Sequence, residues 1–302
     1  MPAQSQHLGL TYGLTAYIIW GLFPLYFHWL NQVSATQILT HRIIWCFVFV
    51  SLLIVLLNRR SILKTTLRNN HLLKGLFISS LLIATNWLIF IWSIGQGRVL
   101  ESSLGYFLTP LVSVLLARIV LKESLDRYRW IAIVLALIGV GWQIFQLGHL
   151  PWISLSLAVS FGLYGLVRKQ LPIDSLTGLW METLFLLPLA LLYWLWVSLQ
   201  GNNQFLTQGI GRTLLLIASG AVTALPLILF AMAAQKLSLI TLGFLIYINP
   251  TMQFLLAIFY FHQPLNSNQL ISFGFIWAAL SVFSYGAWRM QRNPLASIEK
   301  SV

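Results

Sequence analysis

Arg42 stands about six residues inside an apolar stretch running roughly from residue 36 to 57, where inserting a guanidinium costs about 2.5 to 3.5 kcal/mol. At 1.5 Å per helical residue that depth is about 9 Å, so the side chain either faces a ligand or snorkels to the interface. Glu101, at comparable depth in another stretch, is its natural counter-charge, and an Arg42 and Glu101 pair is expected at the outer mouth of the molecule. Glu182 lies about eight residues into a later stretch and coincides with Arg42 after a shift of 140 residues. A carboxyl there can take up a proton, meet a basic group or bond to a hydroxyl of a neighbouring helix. Asn86 is the other costly polar group, and Trp20 and Trp87 either line a cavity or pack.

The second kind of signal is backbone chemistry. "YFLTPLVSVLLA", Tyr106 to Ala117, lies over "IYINPTMQFLLA", Ile246 to Ala257, at the same shift of 140, with Pro110 on Pro250 and Thr109 on Asn249. A proline inside a helix removes one hydrogen bond and crowds the carbonyl four residues back, and in lipid that carbonyl needs another partner. Thr109 and Asn249 are placed to help supply one. Interrupted helices at matching positions of two inverted halves point to a substrate site between them, which brings Tyr106 and Tyr247 into the same candidate cavity. Ser102, Gly105, Thr109 and Ser113 form one small-residue stripe, read for Gly105 and Ser113 as close helix packing.

The elements that must hold these residues are membrane helices. The chain of 302 residues is 58% hydrophobic and 8% charged, too apolar to cover a soluble core with polar surface. Stretches long enough for a bilayer of about 30 Å run roughly 8 to 30, 36 to 57, 72 to 96, 99 to 121, 128 to 147, 150 to 168, 175 to 199, 211 to 235, 238 to 261 and 267 to 288. Ten crossings put both termini on one side. With that side cytoplasmic it receives fifteen of the eighteen Lys and Arg, while Arg98 and Arg212 fall outside and Arg42 lies within a helix. The net charge of +12 is therefore an orientation signal and gives no reason to invoke nucleic acid. Five helices per repeat is an odd number, so the second half enters upside down relative to the first. The expected fold is an all-α integral membrane protein of ten transmembrane helices in two inverted five-helix repeats, residues 1–147 and 148–290, with a short cytoplasmic tail over 291–302.

Several chemistries lack their motifs. No G-x-x-x-x-G-K-[ST] is present for ATP, no H-E-x-x-H spacing for a metal, and no G-x-S-x-G elbow. Cys46 is the one cysteine, so no intrachain disulfide forms. An ATPase, a metal centre and a cofactor are not expected.

"AYIIWGLFPLYF" (16–27), "LTHRIIW" (39–45), "NWLIFIWSIGQGRVLESSLGYFLTPLVSVLL" (86–116), "ETLFLLPLALLY" (182–193) and "TALPLILF" (223–230) closely resemble the RarD group, the chloramphenicol-sensitivity proteins of the EamA-type drug/metabolite transporter superfamily. That resemblance covers nearly the whole chain. It implies two EamA-like repeats around a central cavity, with the fifth and tenth helices at the periphery. It also implies a multi-pass carrier of the bacterial inner membrane that exports small metabolites without a cofactor. Its signature segments contain Arg42, Asn86, Glu101, Tyr106, Pro110, Glu182 and Pro250. The chain departs from the group at Gln263, where the group usually has a glutamate like Glu123. The expected function is a secondary transporter of a small metabolite or drug-like molecule, working by alternating access in a lipid bilayer as monomer or homodimer. A membrane-embedded enzyme on a lipid-linked substrate and a passive channel are the alternatives.

Overall fold

The computed structural model describes residues 3–58, 63, 66–96, 99–123, 125–147, 152–207, 209–260 and 267–292, and among them there is no strand. Twelve helices follow one another: α1 (Ala3–Gly21), α2 (Phe23–Trp29), α3 (Ala35–Leu56), α4 (Asn70–Gly95), α5 (Val99–Ile119), α6 (Arg127–Leu147), α7 (Trp152–Gln170), α8 (Ser175–Leu199), α9 (Ile210–Lys236), α10 (Leu239–Leu245), α11 (Ile248–Phe259) and α12 (Ser267–Arg292). In hydrocarbon a backbone N–H or C=O must find its partner within the protein, and a helix satisfies both locally. Large apolar side chains face outward along α3, α6, α8 and α9, among them Leu52, Ile138, Leu192 and Leu214. That is an inside-out surface for water and an ordinary one for lipid: this is a multi-pass membrane protein.

Seven stretches among the described residues are long and apolar enough to cross a bilayer: Gln6–Trp29, Ala35–Leu56, Asn70–Ser93, Arg127–Gln146, Ser175–Leu199, Ile210–Lys236 and Leu239–Leu256. α5 and α12 carry shorter apolar runs, Gly105–Ile119 and Leu270–Gly286. α7 is not among them, and its surroundings give the reason. It packs between α4 and α5 and buries Ser154, Ser160, Tyr164 and Arg168, so protein rather than lipid meets most of its surface.

The pairings place the core. α1 and α3 both pack on α9, α4 and α5 on α7, α3 and α4 on α8, and α1 on α11. α6 and α12 lie chiefly against each other, outside that group. Gly220 makes the α3 and α9 contact close, because any Cβ there would overlap the backbone of Trp45 and Cys46.

Two of the expected spans are broken, and only one of the breaks is where a matched proline puts it. α5 continues through Pro110 without interruption. The Thr109 hydroxyl donates to the Gly105 carbonyl at 2.9 Å, whereas the carbonyl that Pro110 deprives of a partner is that of Tyr106. At Pro250 the break is real. The Ile246 carbonyl, which an N–H at position 250 would have met, accepts instead from the Asn249 N–H at 3.0 Å, and Tyr247 N–H bonds back to Phe244 at 3.2 Å. The chain tightens for one turn between α10 and α11. The Asn249 side chain does not serve this backbone; its Oδ1 accepts from Gln253 Nε2 at 2.8 Å. The other break, at Leu22, precedes Pro24 and splits the first span into α1 and α2.

Candidate functional site

The two breaks face each other. Gly21, the last residue of α1, lies against Met252 of α11, and a Cβ on it would overlap the Met252 side chain and come within 3.5 Å of the Asn249 carbonyl. Next to this crossing is a cavity of about 40 Å³. Trp20 and Phe23 enter it from the first break, and Ile246, Asn249 and Gln253 from the second. Arg42 comes from α3, Asn86, Trp87 and Phe90 from α4, Tyr106 from α5, and Phe161 from α7. A water needs about 10 to 15 Å³ of such space, so the cavity as it stands holds a few waters.

Arg42 is 4% exposed. Its Nε donates to the Thr223 hydroxyl at 3.0 Å, and its guanidinium lies 4.8 Å from the Trp87 ring centre, 5.6 Å from Phe27 and 5.7 Å from Phe23. Aromatic faces are negative, and a desolvated cation over one gains about 2 kcal/mol or more. The arginine is thus held by ring faces in the cavity wall. Asn86 is fixed from the other side: its Nδ2 donates to the Leu157 carbonyl and the Ser160 hydroxyl, both at 3.0 Å. Amides at Asn86, Asn249 and Gln253, a phenol at Tyr106 and a guanidinium at Arg42 make a polar rim on an aromatic pocket. Such a set suits a small molecule with an anionic or strongly polar group on an apolar body.

Beneath the cavity the rings close ranks. Trp20 meets Phe161 at 5.7 Å and Phe230 at 5.8 Å, Phe161 meets Phe230 at 5.4 Å, and Tyr164 stacks on Phe230 at 6.0 Å. On the far side of this septum the Tyr164 hydroxyl stands 3.5 Å from Glu182 Oε2. Glu182 Oε1 accepts from Ser79 at 2.5 Å and lies 3.6 Å from Arg168 Nη1.

Of the residues singled out in the sequence, Trp20, Arg42, Asn86, Trp87, Tyr106 and Asn249 converge on the cavity wall. Thr109, Pro110, Tyr247, Pro250 and Glu182 are not in that wall: Pro110 lies beside Gly243, Tyr247 is buried against Phe107 and Phe244, and Glu182 belongs to the second polar cluster. The side chain of Glu101, and with it the expected pair with Arg42, lies outside the described residues, as does Gln263. Glu123 does have a task of its own, accepting the N–H groups of Leu239 and Ile240 at 3.1 and 3.4 Å and so capping α10. Sequence reading missed Phe23, Thr223 and Gln253, and it counted Arg168 among the loop charges. The signals were there in part: "WGLFP" carries Phe23 beside a proline, and Gln253 follows Asn249 by one helical turn.

Comparison with known proteins identifies the family. The EamA-like transporter family model matches residues 7–144. An uncharacterized transporter of Pseudomonas aeruginosa is 43% identical over 293 residues, 97% of this chain and 98% of that one. Protein RarD of Escherichia coli is 41% identical over 97% of this chain and 99% of its own length. The chloramphenicol-sensitive protein RarD of P. aeruginosa is 31% identical over 94% and 96%. A crystal structure of a protein 16% identical superposes over 96% of this chain and 99% of that chain with a TM-score of 0.68, a likeness of fold alone.

Proposed function

This chain belongs to the RarD group of the EamA-like drug/metabolite transporters, and from that premise we propose that it is a secondary carrier moving a small amphipathic or charged molecule out across the bacterial inner membrane by alternating access. The observation that carries this reading is the cavity: side chains from six separate spans converge where two broken helices cross, a place where backbone can be irregular because it lines a protein interior. At about 40 Å³ it has room for no more than a few waters, so binding a metabolite widens it.

The carrier has ten crossings in two inverted repeats, residues 1–147 and 148–290. The pairings support this. Exchanging the first five spans for the last five turns the α1 and α9 contact into that of α7 and α4, and the α3 and α9 contact into that of α8 and α4. It likewise turns the contact of α5 with α7 into that of α10 and α11 with α1. Both termini are cytoplasmic, the side that receives most of the Lys and Arg. Arg42 then lies toward the outer face and Glu182 toward the inner.

The test is a thermal-shift screen of the purified protein against amino acids, nucleosides, sugar phosphates and amphenicol drugs, run beside Arg42→Ala. A ligand that stabilises the natural chain and loses its effect on Arg42→Ala is expected. No stabilisation across the panel by a demonstrably folded protein removes the support the cavity lends to this reading.

A further inference from the structure

Acidic residues are few, and most of those described have an architectural task. Asp126 accepts the N–H groups of Tyr128 and Arg129 at 2.8 and 3.0 Å, Asp174 accepts Thr177 N–H at 3.0 Å, and Glu123 caps α10. Glu182 caps nothing. It stands two turns inside α8, 1% exposed, and serves no backbone N–H.

Its partners are drawn from both halves of the chain: Ser79 on α4, and Tyr164 and Arg168 on α7. Among the described residues Cys46 of α3 also faces it. Arg168 is 2% exposed and poorly satisfied. Its Nη2 reaches the Ser175 carbonyl only at 3.5 Å, Nε and Nη1 make no hydrogen bond, and the 3.6 Å approach to Glu182 is too long for one. Gly178 is the seat of this guanidinium, since a Cβ there would overlap it. Two charges have been taken out of water without the close geometry that makes a buried pair stable. A contact this long offsets little of the cost of holding the carboxylate ion out of water.

We propose that Glu182 is the proton-binding site of the transport cycle, with Arg168 as its charge partner, placed across the aromatic septum from the substrate cavity. This rests on the carrier reading above and supplies its coupling. The step is one proton adding to a carboxylate oxygen to form an O–H bond, and leaving by the same oxygen. Proton loading cancels the attraction that keeps Arg168 on Glu182 and replaces an acceptor with a donor opposite Ser79, which loosens α4 from α7 and α8. Tyr164 transmits the change: it touches Glu182 at one end and stacks on Phe230 at the other, and Phe230 packs on Trp20 and Phe161 of the cavity wall.

The experiment needs no substrate. Proteoliposomes of the full chain on a solid-supported membrane are given pH jumps, and the transient charge displacement is recorded against pH. The natural protein is expected to give a transient that Glu182→Gln abolishes and Glu123→Gln leaves in place. Ser79→Ala removes a donor to the carboxylate, and Gly178→Ala pushes Arg168 off it. Both favour the protonated form and move the midpoint up, by about one pH unit for the charge. If Glu182→Gln fails to fold, Ser79→Ala and Glu182→Asp carry the test, since each must shift the midpoint. A transient unchanged in all of these variants overturns the proposal. So does a natural protein that gives none; if it is still stabilised by a ligand of the screen, the carrier reading stands and only the coupling falls.

Discussion

Arg42 and Asn86 show how a membrane interior makes polar groups usable. Arg42 is fixed by Thr223 and three ring faces, Asn86 by two bonds to α7, and both residues line the cavity. The energetic weights differ. Hydrogen bonds between membrane helices average about 0.6 kcal/mol and reach about 1.7, so Asn86→Leu should cost only that much in a detergent melting experiment. A loss several times larger would mean that Asn86 holds the fold rather than the ligand. Arg42→Lys should keep the charge but lose the planar stacking on Trp87 and the Nε bond, so that ligand-induced stabilisation falls between those of the natural chain and Arg42→Ala. These residue types were legible in the sequence because polar groups in apolar runs are costly, and the partners were not. Thr223, Ser160 and Gln253 are ordinary helix residues until the packing of α9, α7 and α11 brings them to the site.

At the scale of elements, hydropathy finds spans and says little about their continuity. Pro110 and Pro250 look equivalent in sequence, yet α5 runs through its proline while α10 and α11 part at theirs. The third proline, Pro24, follows the other break. A proline removes one bond wherever it stands; whether the helix yields depends on the packing on each side. Close contact is equally local. Gly220 admits no Cβ because the backbone of Trp45 and Cys46 occupies the space, so Gly220→Ala should destabilise by about 1 to 3 kcal/mol. Gly141 on α6 has nothing within 4 Å, and Gly141→Ala should stabilise by about 0.5 to 1 kcal/mol. Melting temperatures of the two variants moving in the same direction would contradict this account of the α3 and α9 contact.

Seen whole, both ends of the molecule are laced. On one face Gln204 bonds to Gln37, Ser34 and Gln32, and Gln37 to the Asn202 carbonyl. On the other, Lys169 reaches the Leu237 carbonyl at 2.6 Å, Gln235 the Ile173 carbonyl at 2.5 Å, and Glu123 the start of α10. With Cys46→Ser as background, Gln200→Cys should react with an impermeant maleimide in intact cells and Gln170→Cys only after permeabilisation; the reverse pattern would invert the proposed orientation. The breaks add a consequence of their own. One seven-residue piece, α2, follows α1 and another, α10, precedes α11, whereas α7 and α5, their counterparts under the proposed exchange of the halves, are continuous. The pivots are therefore not mirror images, and opening outward bends different backbone from opening inward. Under the alternating access proposed above, a carrier so made would have unequal half-saturation concentrations on its two faces, balanced by unequal turnover rates so that the equilibrium is untouched. It would then work as a kinetic rectifier, quick to load on one side of the membrane and quick to empty on the other.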